Sequence, residues 1–265
     1  MPPLPLQQLR SGDLDDLVGV VTDIDDTLTW EGRLVPAAFL CLARLQAAGL
    51  RVVPVTGRPG GWVDHIARMW PVDGVVGENG GLWFYMQGGR LRRRFLQPAA
   101  ERSANRARLS ALATTLLAEV PGAALASDQP YRELDLAVDF CEDVPALPAP
   151  AVGRIAAAFA RAGATAKVSS IHVNGWYGDF DKWTGIQRLS LDLWGEALAP
   201  ERWLWFGDSP NDEPLFARFP RSVGVANVAR FLPEMSHHPR WITGAPGGHG
   251  FAEAVDRVLA LRRPS

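Results

Sequence analysis

Four polar clusters in this chain combine acids, hydrogen-bond donors and one lysine in a way that suits phosphoryl chemistry. They are Asp23-Ile24-Asp25-Asp26-Thr27, Thr56-Gly57-Arg58, Lys182, and Gly207-Asp208-Ser209-Pro210-Asn211-Asp212. Asp23, Asp25, Asp208 and Asp212 would bring several carboxylates into one crevice. Like charges held so close are costly unless a cation neutralises them. An oxygen-only donor set with no His or Cys cluster beside it favours a hard ion, magnesium first. A calcium loop of the EF-hand type does not fit: starting from Asp23 it needs glycine at position six and glutamate at twelve, where Leu28 and Leu34 stand. A phosphoryl group needs neutralisation and donors. Thr56 and the Gly57 amide could donate, Lys182 could supply a compact charge, and Asn211 could offer its amide. The phosphate loop G-x-x-x-x-G-K-[ST] is absent. A carboxylate can instead attack phosphorus directly and form an aspartyl-phosphate.

Single aspartates at strand–helix junctions also serve as turn and N-cap residues. What distinguishes these is the elements that carry them. Leu17 to Thr22 is a short β-branched run that reads as a buried strand ending at Asp23. A helical pattern from Pro36 to Ala48 and a strand at Arg51 to Val55 complete a βαβ unit, hence a parallel sheet. A helix (Trp62 to Met69) and a strand (Gly74 to Val76) continue the alternation. After Gly77-Glu78-Asn79-Gly80-Gly81 it breaks. A hairpin pattern turns at Gly88-Gly89, followed by helices near 101–119 and 152–162 and strands near 134–140 and 166–173. Alternation resumes with a helix from Lys182 to Trp194, a strand from Trp203 to Phe206, a helix from Asn211, a strand at Ser222 to Val225 and a last helix over 251–261. The predicted fold class is α/β: a Rossmann-like parallel-sheet core in two parts, 1–83 and 178–265, interrupted by an inserted α+β domain over 84–177. The four clusters then fall at the carboxyl ends of strands, where open α/β sheets bind ligands, or just past the insert.

These residues resemble a known family. Asp23-x-Asp25-x-Thr27, Thr56, Lys182 and Gly207-Asp208-x-x-Asn211-Asp212 are similar, in order and sheet position, to the four motifs of the haloacid dehalogenase-like (HAD) phosphohydrolases. The insert resembles their type-two α/β cap (subfamily IIB). VTGRP and GENGG resemble the Cof-type subgroup, which includes sugar-phosphate phosphatases. The glycine-rich run 247–252 resembles a loop before that subgroup's last helix. The resemblance implies that Asp23 is the nucleophile. It implies that Asp25 is the general acid and base, its carbonyl also touching magnesium. Thr27 would steady the first loop at the phosphate site. Thr56 and Lys182 would hold phosphoryl oxygens, with Gly57 and Arg58 beside them. Asp208 would bind the metal directly and Asp212 directly or one shell out. Asn211 would orient phosphate or a water on the metal. Asp23 must be ionised to attack, which a bound cation favours, whereas Asp25 must hold a proton at some stage.

Weaker signals lie in the insert. Ser170, His172 and Asn174 alternate, so they would share one strand face, where His172 and Asn174 could read the leaving group. Arg90, Arg92, Arg93 and Arg94 could form an anion-binding patch, though a solvated strand face is the simpler expectation. Trp30, Trp176 and Trp183 lie near motif residues and could face a sugar ring, whereas most of the ten tryptophans suit packing. Of 27 basic residues only Lys167 and Lys182 are lysines.

Composition bounds the rest. The 265 residues are 47% hydrophobic and 21% charged, with a net charge of −2, which excludes a disordered chain and gives no global field for nucleic acid. Cys41 and Cys141 cannot build a disulfide framework. The first residues lack a basic start followed by an apolar run, and no stretch reaches the ~20 apolar residues of a membrane span. The expectation is a cytoplasmic, magnesium-dependent phosphomonoesterase acting on a small phosphorylated metabolite, drawn by resemblance to a sugar phosphate or phosphorylated glycoside. No nucleic-acid or membrane partner is expected. The alternatives are a phosphoryl transferase or mutase, and a silent binding protein that keeps the fold.

Overall fold

The computed structural model describes residues 2–262. Its centre is a six-stranded parallel sheet. In spatial order the strands are β1 (Leu4–Pro5), β15 (Trp241–Ile242), β14 (Ser222–Gly224), β13 (Trp203–Gly207), β2 (Gly19–Thr22) and β5 (Arg51–Pro54). The apolar runs dictate this. β2 and β13 are buried along their whole length, as central parallel strands covered on both faces must be. Side chains alternate between the faces. Val20 and Val52 pack with helices α1 (Pro36–Ala47), α2 (Gly60–Met69) and α7 (Gly247–Arg262). Val21 and Val53 pack with α5 (Lys182–Trp194) and α6 (Glu213–Arg218). A short hairpin, β3 (Thr29–Trp30) and β4 (Arg33–Leu34), follows the first acidic cluster.

The insert has its own core. An antiparallel sheet runs in the order β11 (Thr165–Val168), β12 (His172–Trp176), β10 (Asp135–Asp139), β9 (Ala124–Leu125). Against it lie α3 (Ala99–Glu119) and α4 (Ala149–Arg161). Leu109, Leu116, Leu136, Val138, Ile155, Phe159 and Val173 form a cluster separate from the two around the parallel sheet.

Several expectations shift. The hairpin that the sequence reading assigns to the insert, β7 (Leu82–Gln87) and β8 (Arg90–Phe95), pairs instead with β6 (Val75–Gly77). A parallel bridge from Val55 to Val76 ties that three-stranded sheet to the core, and Leu82 and Phe84 are buried in a core cluster. We therefore propose that the cap proper starts with α3 rather than at Phe84. The arginines of this hairpin hold it to core helices. Arg93 Nε donates to Asp64 of α2 at 3.0 Å, and Arg94 lies 3.4 Å from Asp192 of α5. The single strand expected over 166–173 is two strands folded back at Ser169–Ile171, so Ser170 sits in the turn rather than on the strand. The glycine run at 247–252 is the first turn of α7, not a loop. Asn211 lies in a 3-10 turn ahead of α6. No helix among the described residues is long and apolar enough to cross a membrane.

One close approach explains the GENGG turn. Gly80 has φ +104°, and a Cβ there would stand 1.9 Å from the Asp181 carbonyl oxygen. A Cβ on Gly185 would in turn meet the Gly80 Cα at 2.6 Å. Only glycine lets the turn after β6 lie against the start of α5, and that contact sets where Lys182 begins its helix.

Candidate active site

The acids cluster because β2 and β13 are parallel neighbours whose carboxyl ends coincide. The Asp23 amide donates to the Phe206 carbonyl at 2.9 Å, so the loops that carry Asp23 and Asp208 leave the sheet side by side. Lys182 enters from the first turn of α5, whose Asp181 N-cap accepts from the Thr184 amide at 2.8 Å. Its Nζ lies 2.6 Å from Asp23 Oδ1 and 2.7 Å from Asp212 Oδ1. All three side chains are buried. Burial opposes the ammonium charge, but Asp212 and Asp23 outweigh it and hold Lys182 above the usual lysine range.

Asp23, Asp208 and Asp212 bring carboxylate oxygens within 4.8 Å of one another. Burial pushes Asp23 far up, against the pull of Lys182, and Asp212 and Asp25 push it further. Asp208 is pushed far up by burial, then by Asp212 and Asp23. Three buried carboxylates therefore face one ammonium. That deficit, in an all-oxygen donor set, fits a hard divalent cation such as magnesium. Asp208 is fixed from two sides. The Asp208 amide donates to Asp212 Oδ2 at 3.0 Å, and Asn227 Nδ2 donates to Asp208 Oδ2 at 3.1 Å. Asn227 also donates to the Asp26 carbonyl and accepts from the Gly247 amide, which ties the first loop to the start of α7. The sequence reading missed Asn227. Its signal was a polar residue three positions past the end of a buried strand.

Asp25 stands apart from this trio. Its Oδ1 accepts from Arg58 Nε at 2.9 Å and its Oδ2 from the Thr56 hydroxyl at 3.3 Å. Thr56 is wholly buried and accepts from the Arg58 amide, so it braces Asp25 beneath the cavity wall. Gly57, Arg58 and Asn211 do line the cavity. Thr27, expected at the phosphate site, is buried under the loop, its hydroxyl without a partner and its amide bonded to the Ile24 carbonyl.

The opposite wall comes from the cap. His172 and Asn174 both line the cavity, as does Ser170 from the turn. Asn174 donates to Asp135 at 2.9 Å. His172 Nε2 lies 2.9 Å from Glu142 Oε2. Glu142 also accepts from Arg58 Nη2 at 2.8 Å, so one guanidinium joins Asp25 of the core to an acid of the cap. His172 first, then Arg58, hold the Glu142 carboxyl down at about 2, against partial burial. Arg132, fully buried, donates to Asp128, to Asp135 and, across the domain boundary, to the Gly57 carbonyl at 2.9 Å. Arg132 and Glu142 had no sequence signal, because their partners are distant in the chain. Trp30 is half-buried against the core. Trp176 stacks on Phe180 at 5.4 Å, and Trp183 meets Phe219 edge-on. The free space between the walls is about 30 Å³, room for about two waters.

No family model matches the chain. A curated relative, the phosphoglycolate phosphatase of Methanospirillum hungatei, is 26% identical over 255 residues, covering 90% of this chain and 95% of the relative. Among solved structures, the C-terminal domain of Candida albicans trehalose-6-phosphate phosphatase matches with a TM-score of 0.70 at 13% identity, over 98% of this chain and 99% of that one. Thermoplasma acidophilum 0175 matches at 0.69 with 16% identity (92% and 99% covered). The sucrose-phosphatase of Synechocystis, solved with sucrose and phosphate, matches at 0.64 with 16% identity (92% and 98%). A Plasmodium vivax protein described as a HAD/COF-like hydrolase matches at 0.67 with 16% identity (95% and 99%). The chain shares the fold of these solved structures over more than nine-tenths of its length.

Proposed function

We propose that this HAD-fold phosphatase is a magnesium-dependent phosphomonoesterase that works through an aspartyl-phosphate. The observation that carries the reading is the contrast between Asp23 and Asp25. They are two residues apart, yet Asp23 shares Lys182 with Asp212 while Asp25 is held separately by Arg58 and Thr56. That separation supports a reading in which Asp23 attacks and Asp25 handles the proton.

Asp23, Asp208 and Asp212 would hold the magnesium ion, which when bound neutralises the carboxylates and the charge on the transferring group. Lys182 orients Asp23 and can draw a phosphoryl oxygen toward it. Asp23 forms a bond to phosphorus as the bond to the leaving oxygen breaks, and Asp25 gives that oxygen its proton. Asp25 then takes a proton from the water that attacks phosphorus, releasing phosphate and restoring Asp23. The cap wall stands close over the acids, with about 30 Å³ of free space between the walls, so we read admission of an ester as a lifting of the cap. Water is excluded when it returns.

The substrate belongs to the same proposal. Likeness to sucrose- and trehalose-phosphate phosphatases favours a sugar phosphate or phosphorylated glycoside, whereas the curated relative favours a short phosphorylated acid. Small metabolites suit a site closed by a cap, in a cytoplasmic protein with two free cysteines. The test is phosphate release from a panel of sugar phosphates and an aryl phosphate, with magnesium or chelator, for wild type and Asp23→Asn. Release that needs the metal and falls at least ~10³-fold in the variant is expected. Wild-type turnover by Asp23→Asn would sink the covalent route. Product analysis with sugar acceptors separates hydrolysis from transfer, and no release at all favours a binding role.

A further inference from the structure

The two lysines of this arginine-rich chain meet at the active site. Both line a hollow of about 60 Å³ bounded by Trp176, Trp183 and Asn211. Lys182 is the buried one, locked between Asp23 and Asp212. Lys167 is the exposed one, on cap strand β11. Its register partner across the hairpin is Asn174, so the two side chains lie on one face of the cap sheet, the face that looks into the cavity.

Three spaces adjoin there. One is the cavity over Asp23 and Asp208, another is the hollow against Trp176 and Trp183, and the third is an outer groove of about 530 Å³ beside Pro210, Glu213 and Arg218. Lys167 lines all three. A substrate that reaches Asp23 along that groove passes its ammonium, and the leaving group of a bound ester would stay beside it.

Charge pairing separates Lys167 from the other cations of the site. Arg58 is taken up by Asp25 and Glu142, Arg132 by Asp128 and Asp135, and Lys182 by Asp23 and Asp212. Lys167 makes no ion pair among the described residues. Arg218, in the groove, likewise has no acidic partner there and lies over the Trp183 ring at 5.4 Å. A cap wall reading a neutral sugar needs donors and acceptors, which His172, Asn174 and Ser170 offer. An unpaired ammonium adds something else: it rewards negative charge.

We propose that Lys167 binds an anionic group on the leaving alcohol, a carboxylate or a second phosphate, so that the enzyme selects phosphorylated acids or bisphosphates over esters of neutral alcohols. The proposal rests on the phosphatase reading above and narrows its substrate class. An Arg at this position would carry the charge equally well for a carboxylate, so the substitution series has a built-in control.

The test is kcat and KM, with magnesium, for wild type, Lys167→Met and Lys167→Arg. The four substrates are p-nitrophenyl phosphate, glucose 6-phosphate, 2-phosphoglycolate and fructose 1,6-bisphosphate. The wild type is expected to favour at least one of the last two over glucose 6-phosphate by tenfold or more in kcat/KM. Lys167→Met should shrink that ratio roughly tenfold, mainly by raising KM for the anionic substrate, while Lys167→Arg keeps most of it. Preference for the phosphoglycolate arm alone identifies a carboxylate, and for the bisphosphate arm alone a second phosphate. A wild type that favours neither, or a Met variant with an unmoved ratio, overturns the role of Lys167 while leaving the phosphatase intact. Failure of the wild type to release phosphate from any of the four overturns both.

Discussion

The two walls of the cavity are built by different rules. The core wall is made by strand ends. Asp23 and Asp208 sit beside each other because β2 and β13 pair in parallel, and Lys182 follows from a capped helix start held by the Gly80 contact. The cap wall is a lattice of charged side chains whose members come from separate loops and strands, Asp128, Arg132, Asp135, Glu142 and His172, and it meets the core through Arg58 and the Gly57 carbonyl. The first arrangement is set by main-chain pairing between neighbouring strands, the second by side-chain charge pairs that cross from core to cap.

The sharpest way to test the distinction is at its most buried point. Lys182→Met removes the one ammonium among three carboxylates and leaves Asp23 and Asp212 without it. Turnover should fall by about two orders of magnitude or more. Stability should fall by ~3–5 kcal/mol, the usual cost of breaking a buried pair from one side, and magnesium should recover part of it. Thermal unfolding with and without the metal reads this out. A variant that melts like wild type would mean the acids are not held ionised by Lys182.

Glu142→Gln probes the other wall. It keeps the shape and removes the charge that Arg58 and His172 share. The expected loss is about tenfold in kcat/KM, carried by KM, with a fall in melting temperature smaller than that of Lys182→Met, because Asp25 and Asp128 still pair with Arg58. A loss as deep as that of Lys182→Met would erase the contrast between the walls.

The legibility of the molecule follows the same division. The core wall could be read because each of its elements is local: a β-branched run ending in acids, a helix starting at Lys182, a strand ending in Gly207-Asp208. Residues contiguous in sequence reach the site together, since parallel strands deliver their carboxyl ends to one edge. The cap wall could be read only in outline. His172 and Asn174 were visible by alternation. Arg132 and Glu142 were not, because a salt-bridge lattice has no period, and Arg58 and Glu142 are 84 residues apart. The hairpin of β7 and β8 was misplaced for a similar reason. Its strands look like any others, and only the bridge between Val55 and Val76 shows which sheet they extend.

Glu78 straddles the two walls and would refine the comparison through pH. It is fully buried with φ +44°, and its carboxylate accepts from the Gly60 amide of the core at 2.9 Å and from the Glu133 and Leu134 amides of the cap at 2.8 and 2.6 Å. Burial, then the charge of Asp135, push it up to about 8 from an ordinary value of 4.5, outweighing Arg132 and the amide donors. The folded chain therefore holds a proton that the unfolded chain has released. Its contribution to stability is complete below about pH 4.5 and is lost as the pH rises through about 8. Melting temperature should decline between pH 6 and 9 in wild type, and the slope should flatten in Glu78→Gln. An unchanged slope would mean that the decline has another source.

The smallest effect should come from the arginines of β8, which carry as much charge as the cap wall yet face away from the chemistry. Arg93 reaches Asp64 of α2 and lies over the Phe84 ring at 5.8 Å, with more than half of its side chain exposed. An ion pair of that exposure contributes ~0.5 kcal/mol. Arg93→Ala should therefore lower the melting temperature by a degree or two and leave kcat and KM for every substrate as they were. The reason is positional: α2 and β8 lie on the outside of the core sheet, and neither Arg93 nor Asp64 lines the cavity. If Arg93→Ala did change KM for an anionic substrate, the arginine cluster would be part of the approach to the site. The groove beside Lys167 would then not be the only cationic route to Asp23.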